Sequence, residues 1–83
     1  MNNAEQYELS QHITELLRDF CDNEAITPET ELLESDLLDS LAFLQLLSAL
    51  EDEGRCIQPT QFPRKRFSTP KSIAEICAET EQQ

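Results

Sequence analysis

Three segments of the chain repeat apolar residues with the period of an α-helix, and this pattern restricts the fold more than any other feature. They are residues 4–21, 40–53 and about 70–80. Intervals of three and four residues between apolar positions place those positions on one face of a helix. The chain has one glycine and few β-branched residues, a composition that favours helices over β-hairpins. We therefore expect an all-α fold.

Residues typical of helix ends flank these segments. Asn2 or Asn3 can cap the first helix. Gly54 follows the second helix, and glycine is common just after a helix C-terminus. Thr69 can cap the third helix, with Pro70 in its first turn, where the missing N–H costs nothing.

The connections between the helices are long. Residues 22–36 carry a turn signal at Thr27-Pro28-Glu29, and a short helical turn is expected over residues 30–33. Residues 55–67 have room for at most one short helix, within residues 60–67. The sequence thus predicts a small four-helix bundle: three main helices and a short one, with a long loop after the first. The apolar residues expected to anchor the two connections to the core are Ile26, Leu32, Leu33, Ile57, Phe62 and Phe67.

The length of 83 residues leaves room for one hydrophobic core. We expect a single domain over residues 1–83, with frayed ends at about 1–3 and 81–83. The first ten residues are polar, so no signal peptide is expected. No apolar run reaches the roughly 20 residues that a membrane span requires. A soluble, cytoplasmic monomer without stable membrane insertion is predicted.

The net charge of −11 is unevenly distributed. Residues 1–54 carry fourteen acidic residues and one basic residue, whereas residues 55–83 carry three acidic and five basic residues. An acidic surface repels nucleic acid and attracts basic patches on proteins. We expect protein partners and no nucleic acid, although the charge could also serve only solubility.

Residues suited to catalysis or metal binding are few. Cys21, Cys56 and Cys77 are odd in number and widely spaced, which argues against a disulfide framework and against a C-x-x-C motif. Cys77 is expected in the core, and none of the three is expected to be a nucleophile. The single histidine, His12, lies beside the apolar stripe of the first helix. We expect no catalytic residue, no metal site and no stand-alone enzyme.

Ser40 stands behind Asp39 at the predicted start of the second helix. A hydroxyl at this place points outward beside backbone N–H groups, and a phosphodiester there would gain from those donors and from the helix dipole. Asp39 could orient the hydroxyl or hold a divalent metal while another enzyme acts on it, with Leu41 as an apolar lip. Alternatively, Asp39 or Ser40 only caps the helix.

The second helix is apolar around most of its circumference, which a chain this short cannot fully bury. We expect part of it, namely Leu41 and Leu44 with the neighbouring Gln45 and Ser48, to contact a partner. The alternative is that helix register buries all of its apolar residues.

Several short segments follow one another in an order and spacing that is similar to the acyl carrier protein superfamily, over about residues 5–80. The segments are Ile26-Thr27-Pro28-Glu29-Thr30, Leu37-Leu38-Asp39-Ser40-Leu41, Leu46 to Glu53, Ile57-Gln58-Pro59 and Thr69 to Ile76.

This resemblance implies a bundle of the acyl-carrier type whose Ser40 receives covalent 4′-phosphopantetheine from coenzyme A through a phosphopantetheinyl transferase. The terminal thiol of the arm would hold an acyl or aminoacyl group as a thioester. An adenylating ligase would load that group, and an acyltransferase or synthase would take it. The residues implied to meet these partners are Asp39, Leu41, Leu44, Gln45, Ser48, Glu51 and Asp52.

Within the superfamily, residues 37–41 and 62–70 are similar to the D-alanyl carrier proteins of teichoic acid modification. They also resemble stand-alone aminoacyl and peptidyl carriers. Fatty-acid carriers usually read Gly-Ala-Asp-Ser-Leu and stay acidic where this chain has Arg64-Lys65-Arg66. Those three basic residues either discriminate among partners or merely offset the acidic half.

Two departures from the family pattern bear on the cargo. Gly54 and Arg55 replace a bulky apolar residue of many carriers, and Asp36 stands where amino-acid carriers commonly have glycine. They favour a small, polar cargo such as D-alanine, held outside the bundle.

The alternative function is an unmodified acidic helical adaptor that binds basic protein partners. Ser40 would then be only a cap, and Ser40→Ala would weaken the fold by about 1 kcal/mol.

Overall fold

The structure is a computed structural model that describes residues 3–35, 37–55, 57–58 and 61–81. Within these residues the chain forms helix α1 (Asn3–Phe20), helix α2 (Ser40–Asp52), a 3-10 helix (Arg64–Phe67) and helix α3 (Pro70–Glu81), with no strand. The predicted all-α arrangement of three main helices and a short one is confirmed.

Helix α1 packs mainly against α3 and to a smaller extent against α2. Its apolar stripe buries Leu9, Ile13 and Leu17 almost completely. Helices α2 and α3 meet this stripe with small and branched apolar side chains, which together form one core. The core residues of α2 are Ala42, Leu46 and Leu50, and those of α3 are Ile73, Ala74, Ile76 and Cys77. The predicted core position of Cys77 is confirmed.

The long loop between α1 and α2 is held tightly to the helices. Ile26 and Leu32 are fully buried. The amide of Leu32 donates to the carbonyl of Ser68 at 2.7 Å, and the side-chain Nε of Arg18 donates to the carbonyl of Ile26 at 2.9 Å. These contacts fix the residues that lead into α2.

The short helical turn predicted over residues 30–33 is wrong. A turn is closed earlier, where the amide of Thr30 donates to the carbonyl of Thr27 at 3.0 Å. The Thr30 hydroxyl accepts the Thr27 amide at 2.7 Å, and Glu31 accepts the amides of Leu33 and Glu34 through its carboxylate oxygens. Side-chain acceptors thus take amide hydrogens that a helix would need for its own ladder.

Helix α2 is followed by Gly54 and helix α3 is preceded by the cap Thr69, as predicted. Gly54 follows the C-cap with a φ of +85°, and its amide donates to Glu51 while that of Arg55 donates to Leu50. This pair of hydrogen bonds is the Schellman motif. At α3, the Thr69 hydroxyl accepts the amide of Ser72 at 3.0 Å, so Thr69 is the N-terminal cap.

Among the described residues, no helix has both the length and the apolar composition needed to cross a membrane. Outside the described residues lie the expected cap at Asn2, the family departure at Asp36, Cys56, and residues 1, 2, 82 and 83 of the expected frayed ends. The single domain over residues 1–83 likewise stays a prediction.

Candidate functional site

Asp39 is the N-cap of α2. Its backbone is extended, with φ −80° and ψ 178°, and its Oδ1 accepts the amide of Ala42 at 2.8 Å. Its carbonyl accepts the amide of Phe43 at 2.9 Å, the first bond of the helical ladder. Capping is therefore done by Asp39, and the alternative in which Ser40 is the cap is wrong. Ser40 is the first helical residue.

The hydroxyl of Ser40 is exposed and has no hydrogen bond with any described residue. Asp39 accepts the amide of Ala42 through its side chain, and the three amides before it, those of Asp39, Ser40 and Leu41, have no acceptor inside the helix. The site thus presents a hydroxyl beside backbone donors, at the positive end of the helix dipole. This arrangement favours a negatively charged group on the hydroxyl.

The residues before Asp39 hold the start of α2 in place. Leu38 is buried, and its amide donates to the carbonyl of Leu32 at 3.2 Å. The thiol of Cys21, at the end of α1, donates to the carbonyl of Leu37 at 2.9 Å. Burial, and secondly the charge of Asp39, raises the pKa of the Cys21 thiol. The thiol therefore stays protonated and acts as a hydrogen-bond donor.

A groove of about 250 Å³ opens beside Ser40. Three aromatic rings lie along it. Phe43 and Phe67 are in edge contact, with ring centroids 5.0 Å apart, and Phe62 meets Phe67 at 6.4 Å. The full lining is Leu33, Leu38, Asp39, Ser40, Phe43, Phe62, Arg64 and Phe67.

The sequence does not predict this groove. Phe62 and Phe67 are expected as core anchors, and Phe43 belongs to the apolar pattern of the second helix. Phe67 is buried as predicted, but Phe43 and Phe62 are only half-buried. Three phenylalanines in a chain with four were the signal that could have indicated an aromatic surface.

The exposed face of α2 carries the other predicted site residues. Leu41 and Leu44 are 66% and 63% exposed, so the alternative in which helix register buries them is wrong. The remaining members of this face recur at helical spacing and are all exposed. They are Gln45, Ser48, Glu51 and Asp52. The structure thus brings the predicted partner residues onto one surface that begins at Ser40; their role in recognition stays a prediction.

The 3-10 helix carries three basic side chains, and one of them, that of Arg64, lines the groove. Arg66 forms an ion pair with Glu79, and its guanidinium lies 5.4 Å from the centre of the Phe62 ring. Arg64 and Lys65 are exposed. Arg64 lines the groove, and it forms no ion pair within the part of the chain that the structure describes.

His12, which the sequence does not predict as a ligand, contacts the end of α2 that is opposite to Ser40. Its Nε2 is 2.6 Å from Oε2 of Glu53 and links α1 to the end of α2. No cluster of three or more metal-binding side chains occurs among the described residues.

Sequence comparisons identify a matching family and several similar proteins. Residues 8–77 match the family described as phosphopantetheine attachment site. A D-alanyl carrier protein of Bacillus velezensis is 32% identical over 75 residues, which are 87% of this chain and 96% of that protein. The D-alanyl carrier protein of Bacillus subtilis is 29% identical over 75 residues, which again are 87% of this chain and 96% of that protein.

A relative of another kind is the lincomycin biosynthesis protein LmbN of Streptomyces lincolnensis. It is 40% identical over 57 residues, which are 69% of this chain but 21% of that protein. The chain is therefore similar to nearly the full length of two small carriers and to one segment of a larger biosynthetic protein.

Proposed function

The chain belongs to the phosphopantetheine attachment site family of carrier proteins, and on this premise we propose that Ser40 is its attachment residue and that it carries a small acyl or aminoacyl group. Membership confirms the resemblance to carriers of the D-alanyl type that the sequence predicted. The cofactor of the family, covalent 4′-phosphopantetheine, supplies a terminal thiol on which cargo is held as a thioester.

The observation that carries the proposal is that Asp39 and Ser40 have separate roles at the start of α2. Asp39 caps the helix, which leaves the Ser40 hydroxyl exposed and without a hydrogen bond to the described residues. This hydroxyl fits a covalent phosphodiester, because the amides of Ser40 and Leu41 supply donors beside it. A separate phosphopantetheinyl transferase would form the bond: the Ser40 oxygen attacks the phosphorus next to pantetheine in coenzyme A, and the pyrophosphate P–O bond breaks. Adenosine 3′,5′-bisphosphate leaves, and the serine proton is lost to a base of the transferase.

A small cargo is favoured by the relatives and by the end of α2. The two Bacillus relatives are D-alanyl carriers and match this chain over most of its length. Gly54 places no side chain after α2, so it adds no apolar group to shelter a long acyl chain. We propose an amino acid such as D-alanine, or another small acyl group, as the cargo.

The exposed face of α2 supports a role in partner recognition. Leu41 and Leu44 offer apolar contact near Ser40, and Glu51 and Asp52 add negative charge toward the other end of the helix. Partners with an apolar pocket and a basic rim would fit this face. The proposed partners are the transferase, an adenylating ligase, and an acyltransferase or synthase.

The test is the intact mass after incubation with coenzyme A, magnesium and a broad-specificity phosphopantetheinyl transferase. Wild type should gain one phosphopantetheinyl group, and Ser40→Ala should gain none. Ser35→Ala, which removes another exposed hydroxyl, should be modified like wild type. No gain by a folded wild-type protein would contradict the proposal and favour an unmodified acidic adaptor.

A further inference from the structure

Arg64 occupies a place in the groove that the carrier function has not yet used. We propose that the guanidinium of Arg64 binds the phosphodiester on Ser40 and so positions the first part of the prosthetic arm against the aromatic rings of the groove. This inference rests on the proposed attachment at Ser40.

The packing of two rings brings Arg64 and Ser40 together. Phe43 lies three residues after Ser40, about one turn along α2, and so shares its side of the helix. Phe67 lies three residues after Arg64 in a 3-10 helix, where residues at this spacing eclipse one another. The Phe43 and Phe67 rings are in edge contact, with centroids 5.0 Å apart. The turn of α2 that begins at Ser40 therefore lies beside the turn of the 3-10 helix that begins at Arg64. Ser40 and Arg64 accordingly line the same groove.

The charges at the groove favour an anion near Arg64. Arg66, two residues further on, pairs with Glu79 and covers the Phe62 ring. Arg64 has no such partner among the described residues. Asp39 also lines the groove and accepts the amide of Ala42 through Oδ1, but it forms no ion pair with Arg64 in the part of the chain that the structure describes. A phosphodiester on Ser40 would add an anion to which a planar guanidinium can donate two hydrogen bonds.

The rest of the groove suits the apolar part of the arm. Phe43, Phe62 and Phe67 line it together with Leu33 and Leu38, so most of its lining is apolar. The segment next to the phosphate carries two geminal methyl groups, which can pack on such rings. Arg64 is therefore a positioning residue: it would select the groove over free rotation of the arm.

The experiment compares three fully modified proteins, wild type, Arg64→Gln and Lys65→Gln, each shown by intact mass to carry one arm. Lys65→Gln is the matched control, since it removes one exposed positive charge from the same 3-10 helix without altering the groove lining. Amide correlation spectra establish that each variant keeps the fold. Nuclear Overhauser effects are then measured between the geminal methyl protons and the aromatic protons.

Wild type and Lys65→Gln should show these effects, and Arg64→Gln should lose them or retain less than about half of their intensity. The ³¹P resonance of the phosphodiester should shift in Arg64→Gln and stay in place in Lys65→Gln. Absence of the effects in wild type, or equal intensity in all three proteins, would overturn the inference. Both outcomes are read on protein already modified at Ser40, so the proposed function stands or falls separately, on the mass of Ser40→Ala.

Discussion

At the scale of single residues, the chemistry of the site depends on which side chain caps α2. Two polar residues, Asp39 and Ser40, compete for that role in the sequence, and both are common at N-caps. The structure gives the hydrogen bond to Asp39, whose Oδ1 accepts the amide of Ala42. The consequence is that Ser40 can be altered without cost to the helix, which separates the chemistry of the site from the stability of the fold.

The stability of two variants tests this separation. Asp39→Ala should lower the free energy of unfolding by about 1 kcal/mol, because it removes a capping acceptor. Ser40→Ala should change it by less than about 0.5 kcal/mol, the range of exposed substitutions that touch no special feature. Urea denaturation of the unmodified proteins measures both values. A larger loss of stability for Ser40→Ala than for Asp39→Ala would show that Asp39 is not the residue that caps α2.

The left-handed residue after α2 provides a second test at this scale. Gly54 has a φ of +85°, and a Cβ there would meet no described atom within 4 Å. Gly54→Ala should therefore cost about 1–2 kcal/mol from backbone strain alone. Gly54→Asn should cost less, since asparagine tolerates this conformation. Thermal unfolding of the two variants gives the comparison, and equal stability of Gly54→Ala and wild type would contradict the Schellman geometry.

At the scale of elements, α2 divides its apolar residues between two tasks. Leu46 and Leu50 are fully buried against the other helices. Leu41 and Leu44 are largely exposed, although their chemistry is the same. Helical spacing explains the division, because residues 41, 44, 45 and 48 lie on the side opposite the core. The exposed leucines contribute little to folding and remain available to partners.

Truncating these leucines should separate recognition from folding. Leu41→Ala combined with Leu44→Ala should leave stability within about 1 kcal/mol of wild type. The kcat/KM of the transferase for the variant should fall about tenfold or more, as expected when apolar anchors of an interface are removed. Tyr7→Ala is the matched control: Tyr7 is 62% exposed on α1, away from this face, and its loss should leave kcat/KM unchanged. The face has no part in recognition if the double variant and the control react alike.

A buried leucine of the same helix should behave in the opposite way. Leu46 is fully buried, so Leu46→Ala should cost about 2–5 kcal/mol, depending on how far the cavity collapses. A single core of this size supplies only roughly 3–5 kcal/mol in total, so the variant should be largely unfolded at 37 °C. Circular dichroism melting measures the effect. A melting temperature close to that of wild type would contradict the assignment of Leu46 to the core.

Local sequence signals explain which parts of these elements could be predicted, and long-range packing explains which parts could not. The bounds of α2 and α3 follow from apolar spacing and from Gly54, Thr69 and Pro70, which act within one turn. The groove beside Ser40 could not be predicted in this way, since Phe43 and Phe67 are 24 positions apart and meet only when the 3-10 helix folds onto α2. The helical turn over residues 30–33 is absent because the carboxylate of Glu31 accepts the amides of Leu33 and Glu34, which a helical ladder would otherwise use.

At the scale of the whole molecule, charge opposes folding and serves association. The chain carries a net charge of −11, and residues 1–54 hold fourteen of its seventeen acidic residues. Like charges at this density repel one another in the compact state. The same field attracts basic partners and raises association rates at low salt. Weak, rapid contacts with several enzymes are what a carrier of this kind needs.

Salt should stabilise the fold through this charge. As ionic strength rises to about 0.15 M, the Debye length falls to about 8 Å and the repulsion is screened. The melting temperature should rise by several degrees, since about 1 kcal/mol corresponds to about 4–8 °C in a domain of this size. Glu15→Gln combined with Glu24→Gln, two exposed acidic positions, should show a smaller rise. A melting temperature that does not respond to salt would exclude repulsion as a limit on stability.

The measurement that tests the central claim most directly is the location of the modification. The protein is treated with coenzyme A, magnesium and the transferase, digested, and sequenced by tandem mass spectrometry. We expect one phosphopantetheinyl group, on Ser40, with every other serine and threonine unmodified. A modified protein whose added group lies on any residue other than Ser40 would contradict it.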